Sequence, residues 1–356
     1  MNNLHSKPIF SKLVKKPAAL FGIAVIGLTL IVALFAYVLA PDGSTNANRM
    51  VPEIANKRPG FDIDLLRIKK QNNLASTGWF STMINGKEEP YQYLPVKTHS
   101  IANDSLRATR YIDDGVYETV VLPIHALADV PVQHYKFYLG TDSFGRDILS
   151  RLIVGTRVSL GVGMIAVVIS LLFGITLGSI AGYFGGRWDG LVMWLVNVLW
   201  SIPTLLLVFA LTLLIGKGVW QVFIAVGLTM WVNVARIVRG QVMAVKEFEF
   251  VEATRVLGFS HSRRLVYHIL PNIMGPILVI AASNFASAII IEAGLSFLGV
   301  GVQPPQPGWG LMIKENYNFL LTNNPMLAII PGLAIMLLVL AFNLLGAALR
   351  DAFDVK

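Results

Sequence analysis

The chain has 356 residues, 54% of them hydrophobic and only 14% charged, far from the roughly 25% charge of soluble domains, so it reads as a polytopic membrane protein. It has no cysteine, which excludes disulfides, thiolate metal sites and cysteine nucleophiles. Its formal charge of +8 has the sign that suits nucleic acid, but in a membrane protein the placement of basic residues carries the meaning, and no nucleic-acid partner is expected.

Residues 1–17 hold Lys7, Lys12, Lys15 and Lys16 and no acid. Ala18 to Ala40 is then free of charge, long enough for a hydrocarbon core of about 30 Å. The run is too long for a signal-peptide h-region, and Pro41 is a poor cleavage context. The sequence therefore predicts an anchor with its N-terminus inside.

Residues 41–137 are polar and rich in turn-formers such as Pro41-Asp42-Gly43 and Asn85-Gly86. Tyr91 to Val96 and Val116 to Leu122 read as short strands. His99, His125 and His134 lack ligand-like spacing. The expectation is a small extracytoplasmic domain, or an excursion lying on a partner, whose shortening leaves assembly intact.

From Leu139 to Leu152 the pattern allows an amphipathic helix at the outer interface, capped by Asp142 or Ser143, with Arg146, Arg151 and Arg157 at headgroup level. A plain solvated lead-in fits equally well. Val158 to Phe184 is the second span. Gly174, Gly178, Gly182 and Gly186 recur in it every four residues, a stripe that lets another helix approach closely.

Gly190 to Ile215 is the third span, with Pro203 expected to kink it and to leave the carbonyl near Leu199 unpaired. Gly216-Lys217-Gly218 makes a short turn that lacks the first glycine and the hydroxyl of a P-loop. Gly218 to Ala235 is the fourth span, followed by Arg236 and Arg239. The fifth starts at Asn272 and the sixth runs from about Asn318 to Leu349 with Pro325 and Pro331.

Between the fourth and fifth spans lies a charged island, residues 247–272. Glu252 and Arg255 stand at i,i+3, close enough to pair. Gly258 can take the positive φ that ends a helix, Ser260 can cap a second helix, and Pro271 disfavours helix at Leu270. A rigid helix-turn-helix between spans suits the docking of a protein partner.

Glu292 is the only Asp, Glu, Lys, Arg or His side chain within the expected spans. It falls near the outer end of its helix, where a hydrogen bond to a neighbouring helix is favoured over a proton relay or solute contact. The spans offer no H-E-x-x-H, no Ser-His-Asp set and no carboxylate pair. No catalytic residue, metal ligand or cofactor is expected.

Glu252-Ala253-Thr254, then Gly258, then His268-Ile269-Leu270-Pro271-Asn272 resembles the "EAA" loop of ABC importer permeases. The HILPN ending resembles the C-type subunit of the dipeptide/oligopeptide (peptide/nickel) family. Leu139-Gly140-Thr141-Asp142, Gly145-Arg146-Asp147, Leu295-Ser296-Phe297-Leu298-Gly299 and Phe342-Asn343-Leu344-Leu345-Gly346 are similar to the same family. Thr254 stands where that loop usually has its second alanine, and Ala347 replaces a common aspartate.

The resemblance implies an all-α polytopic membrane protein with six transmembrane helices, a type I ABC importer permease (MetI-like) core and an extracytoplasmic insertion. It divides the chain into 1–40, the insertion 41–137 and a permease domain 138–356. It implies a bacterial inner (plasma) membrane location and, as partners, membrane lipid, a homologous second permease, two cytoplasmic ATPases and an extracytoplasmic solute-binding protein. The ATPase-coupling loop would use Glu252, Ala253, Thr254, Gly258, His268, Pro271 and Asn272.

Charge placement agrees with six spans and both termini inside. The inner segments collect Lys7, Lys12, Lys15, Lys16, Arg187, Arg236, Arg239, Lys246, Arg255, Arg263, Arg264, Arg350 and Lys356, whereas the short outer loops hold Lys217 and Lys314. The rival readings are an ion-gradient-driven secondary transporter, which usually needs ionisable or unwound sites near the midplane, and a plain anchor, which needs one span.

Overall fold

The computed structural model describes residues 13, 15–70, 78–102, 104–216, 218–321 and 324–353. Lys7, Lys12, Lys217 and Lys356, which enter the charge count, lie outside them. The first helices are α1 (Pro17–Leu34), α2 (Ala36–Leu39) and α3 (Trp79–Asn85). The strands are β1 (Phe61–Lys69), β2 (Tyr91–Ala102), β3 (Ser105–Asp113), β4 (Val116–Pro123) and β5 (Leu127–Phe137). Then follow α4 (Ile148–Phe184), α5 (Gly186–Trp200), α6 (Thr204–Ile215), α7 (Val219–Lys246), α8 (Glu249–Val256) and α9 (His261–Arg264). The last are α10 (Met274–Phe297), α11 (Trp309–Asn316) and α12 (Met326–Phe353).

Among the described residues, α1, α4, α7, the run His261–Phe297 and α12 are long and apolar enough to cross a membrane. The pair α5 and α6 makes a sixth if it is one span, but it is bent by 92°. The expected kink is a full break. Pro203 has extended ψ and caps α6 rather than sitting inside a helix, because proline disfavours α conformation in the residue before it. The carbonyl of Leu199 accepts from Ser201 and from Ile202 at 3.3 Å, so it is not left unpaired.

Other boundaries also move. The lead-in and the second span form one 37-residue helix, α4. Its cap is neither Asp142 nor Ser143 but Asp147, which accepts from the Ser150 N–H at 2.9 Å. Helix continues through Leu270, where Leu265–Ile269 widens into a π turn and Leu270–Ile273 tightens to 3₁₀. Pro271 supplies no N–H and crowds the carbonyl four residues back, and the wider turn accommodates it without ending the helix. The sixth span starts at Met326, not Asn318, and carries Pro331 inside it.

The chain divides into two compact units. The helical unit comprises Met1–Leu30, Ser159–Val302 and Ala334–Lys356. In it Val234, Val238, Val242 and Val245 form one face of α7 and pack with Tyr183, Val251, Ile269, Ile273 and Ile277. Gly22 lets α1 meet α12 closely, since a Cβ there would stand 2.7 Å from the Ala341 carbonyl oxygen.

The second unit comprises Ile31–Val158 and Gln303–Leu333. Its antiparallel sheet has the order β4-β3-β2-β1-β5. The expected strands at 91–96 and 116–122 are the beginnings of the longer β2 and β4. The two edge strands are joined by only three residues, Ile124–Ala126, so the sheet must curl until its two edges lie within the reach of that link. Leu66, Val96, Leu106, Ala108 and Leu127 fill one face. On the other, Leu65, Tyr93, Tyr111 and Phe137 pack with Val51 and Ile54. A cysteine-free segment thus acquires a core on each side of one sheet.

Candidate functional site

The charged island folds as two short helices with a defined turn. Helix α8 buries Val251 and Thr254 and turns Glu252, Ala253 and Arg255 outward. It ends in a Schellman arrangement: the Phe259 N–H reaches the Thr254 carbonyl at 3.1 Å and the Gly258 N–H reaches Arg255 at 3.0 Å. Gly258 has φ +77°, as this closure requires. Ser260 caps α9 by accepting from the Arg263 N–H at 3.4 Å. The expected Glu252–Arg255 pair does not form; both side chains are exposed and no ion pair joins them among the described residues.

The turn is fastened to the end of α4. Tyr183 Oη lies 3.0 Å from His261 Nδ1, and the Arg264 guanidinium lies 5.7 Å from the centre of the Tyr183 ring. Within the turn Phe259 stacks on His268 at 5.6 Å, with Arg263 above Phe259 at 4.3 Å. Asn272 donates to the His268 carbonyl at 2.6 Å, and Pro271 is exposed. Around this frame apolar side chains face outward: Val256 is 85%, Leu257 70% and Tyr267 72% exposed. These were missed in the sequence, where the charges drew the eye.

The glycine stripe is a contact surface for three of its four members. A Cβ on Gly174 would strike Val234, one on Gly178 the backbone of Ala235, and one on Gly182 the Arg239 carbonyl. Gly186 does not belong to it. It has φ +53°, begins α5, and has nothing near its Cβ position.

Two cavities follow one another along α7 and α10. The first, of about 210 Å³, is lined by Trp200, Thr229, Asn233, Asn284 and Ser287 among others and is bordered by residues on both sides of the α5/α6 break, Trp200 and Thr204. The second, of about 320 Å³, is lined by Ile237, Gly275, Val279, Ser283 and Arg350 among others. Asn233 and Ile237, and likewise Ile280 and Asn284, are one helical turn apart, so consecutive turns of the same helices border both.

Residues 174–356, just over half of the chain, match the family described as the binding-protein-dependent transport system inner membrane component. The oligopeptide transport system permease protein OppC of Bacillus subtilis is 43% identical over 219 residues, 62% of this chain and 72% of that protein. The chain belongs to this permease family. The glutathione transport system permease protein GsiD of Pectobacterium atrosepticum is 42% identical over 219 residues, with the same shares of each chain covered. The inward-facing MetNI methionine ABC transporter aligns with 57% of this chain and 96% of its own, with a TM-score of 0.47 and 17% identity. The chain is accordingly a multi-pass inner-membrane permease subunit of an ABC importer, and not an enzyme.

In this permease Glu292 is fully buried, but its bond comes from within its own helix. Ser296 Oγ donates to it at 2.6 Å, so the expected bond to a neighbouring helix is not made. Glu292 Oε2 has no partner. Among the described residues no group of three or more His, Cys, Asp or Glu could hold a metal.

The permease also carries an ionic cluster that sequence reading placed elsewhere. Arg146 and Arg151 do not reach out to headgroups, as both side chains are buried. Arg146 Nε donates to Asp142 at 2.7 Å, and Arg146 and Arg151 reach Glu315 of α11 at 2.9 and 3.1 Å. The charge density of 142–151 was a signal of pairing, but no spacing pointed to Glu315 more than 160 residues on. Just before α4, burial pushes the Asp147 carboxyl above its ordinary value, partly offset by its bonds from Ser150.

Proposed function

We propose that this permease forms half of a path for peptides or similar small solutes, opened and closed by ATPases that dock on residues 247–272. The observation that carries the reading is the outward apolar surface of Val256, Leu257 and Tyr267, set on a helix-turn-helix fastened to the span above it. A fixed apolar knob can follow a moving cleft and pass its displacement to α4 and α10. For that it must fit one ATPase state better than another, because without differential affinity no equilibrium shifts.

The relatives' names share peptides as cargo: oligopeptide, dipeptide and glutathione. The paired cavities along α7 and α10, with Asn233, Asn284 and Ser287 among the lining groups, suit a polar solute. A homologous second permease would supply the facing wall, and an extracytoplasmic binding protein would deliver the solute. In this arrangement both termini and residues 247–272 lie in the cytoplasm, and residues 41–137 lie outside.

The test is uptake of a labelled di- or tripeptide into proteoliposomes holding the co-purified assembly. Uptake that needs ATP and persists when proton and sodium gradients are collapsed supports the proposal. Uptake driven by a gradient without ATP would favour the secondary-transporter reading. Tags at Ser260 and Lys87 check the orientation, since Ser260 should be labelled only from the cytoplasm and Lys87 only from outside.

A further inference from the structure

Helix α3 carries an apolar arc that the permease function leaves unexplained. At 100° per residue Trp79, Met83 and Ile84 fall within an arc of about 140°, and Ser81, Thr82 and Asn85 occupy the rest of the wheel. Trp79 and Ile84, at the edges of that arc, are 67% and 55% exposed. Two large apolar side chains so exposed on one short helix need a covering phase.

The position of α3 says which phase. It packs against α2, at the end of the first span farthest from the N-terminus. Gly86, just after α3, lies against Tyr37 of α2; a Cβ there would come within 2.8 Å of the ring. Arg157 of α4 donates to the carbonyl of Ile84 at 2.5 Å and sits 5.2 Å from the centre of the Tyr37 ring. Val38 and Leu39 of α2, and Leu34 and Phe35 just before it, are exposed as well. Exposed apolar side chains thus lie on α3, on the α2 helix it packs against and on the last residues before α2, and an arginine and a tyrosine meet beside α3.

We propose that α3 is an interfacial anchor whose Trp79 and Ile84 enter the acyl boundary of the lipid leaflet at that end of the first span. Tryptophan favours this depth, because its ring is apolar and its N–H polar. A short amphipathic helix flanked by cations, here Arg157 and the exposed Lys87, lies in the plane of the interface. The anchor ties the sheet of the second unit to the bilayer surface. A binding partner then meets an ordered surface and does not have to supply the cost of ordering it. That the leaflet is the outer one rests on the proposed orientation; insertion itself does not.

The absence of cysteine makes the test direct. Single Ile84→Cys, Asn85→Cys and Val121→Cys chains, labelled with a small environment-sensitive fluorophore, are reconstituted at full length into phosphatidylcholine/phosphatidylglycerol vesicles. Quenching by lipids spin-labelled near the top of the acyl chain is compared with quenching by aqueous iodide. The label at 84 should be quenched by lipid roughly threefold more than those at 85 and 121, as burial of about 5–10 Å predicts. Iodide should reverse the order. Iodide quenching at 84 without lipid quenching would overturn the anchor, and quenching by neither would show that protein covers α3 and overturn it equally. A chain inactive in uptake would still report, so this result stands apart from the fate of the transport proposal.

Discussion

Gly178 and Ala235 meet backbone to backbone: a Cβ on Gly178 would stand 2.5 Å from the Ala235 carbonyl oxygen and 2.9 Å from its Cα. One turn on, Gly182 stands in the same relation to Arg239, whose carbonyl oxygen would lie 2.7 Å from the new carbon. In lipid no hydrophobic force presses helices together, so this closeness is itself what holds α4 to α7. Gly178→Leu or Gly182→Leu should therefore abolish folded, monodisperse chain on size-exclusion chromatography. Gly190, which has open space at its Cβ position, should accept alanine with no loss. Normal folded yield for the double leucine variant would contradict the packing.

The buried arginines give a second expectation. Glu315→Gln removes the carboxylate shared by Arg146 and Arg151 and should destabilise the second unit by about 3–5 kcal/mol, the range for a broken buried pair. Asp147→Asn should cost less than about 1 kcal/mol at neutral pH, since an amide oxygen still caps α4. The sign for Asp147 follows from its raised carboxyl. The native state pays for its ionisation, a cost absent below the ordinary carboxylate value of about 4 and complete once pH passes the raised one. Thermal unfolding against pH should lose that component of the decline in the Asp147→Asn variant. An unchanged profile would contradict burial as its cause.

Residues 41–137 were expected to be removable without loss of assembly, and their bonds argue otherwise. The Asn56 N–H donates to the Asp142 carbonyl at 2.9 Å, and the Lys57 N–H donates to Thr141 Oγ1 at 2.9 Å. Asp42 N–H donates to Ser150 Oγ at 2.8 Å. Gly145 leaves no room for a side chain beside the Val51 carbonyl. Replacing 41–137 by a brief linker should therefore lower folded yield at least severalfold, measured by size-exclusion chromatography, as expected when several buried polar groups lose their partners together. Intact assembly of the shortened chain with its ATPases would restore the reading of a detachable module.

What the sequence made legible was what depends on local pattern. Apolar length located five of the six expected spans, Gly258 and Ser260 placed the turn and its cap, and period-four glycines placed three contacts of α4. What it hid depends on distance along the chain or on competition between local rules. Glu315 finds Arg146 only through the fold. Pro203 and Pro271 fall under the same rule, yet one ends a helix and the other is absorbed by a π turn. The Ile269 and Ile273 contacts with α7 favour keeping the second helix continuous. Gly186 keeps the glycine period but has left the helix, so periodicity alone could not exclude it.

The central claim is that residues 247–272 couple ATP hydrolysis to movement of the permease, and Gly258→Val in the reconstituted assembly tests it most directly. Gly258 has open space around its Cβ position, so a side chain acts only through backbone strain at φ +77°, roughly 1–2 kcal/mol. That strain redirects α9 without filling a core. Glu252→Ala, at an exposed position, should only weaken docking. Peptide uptake and ATPase activity are measured together in proteoliposomes. The account predicts membrane-inserted Gly258→Val chain with uptake abolished and the ATPases lost or hydrolysing without transport; full ATP-driven uptake by that variant would contradict it.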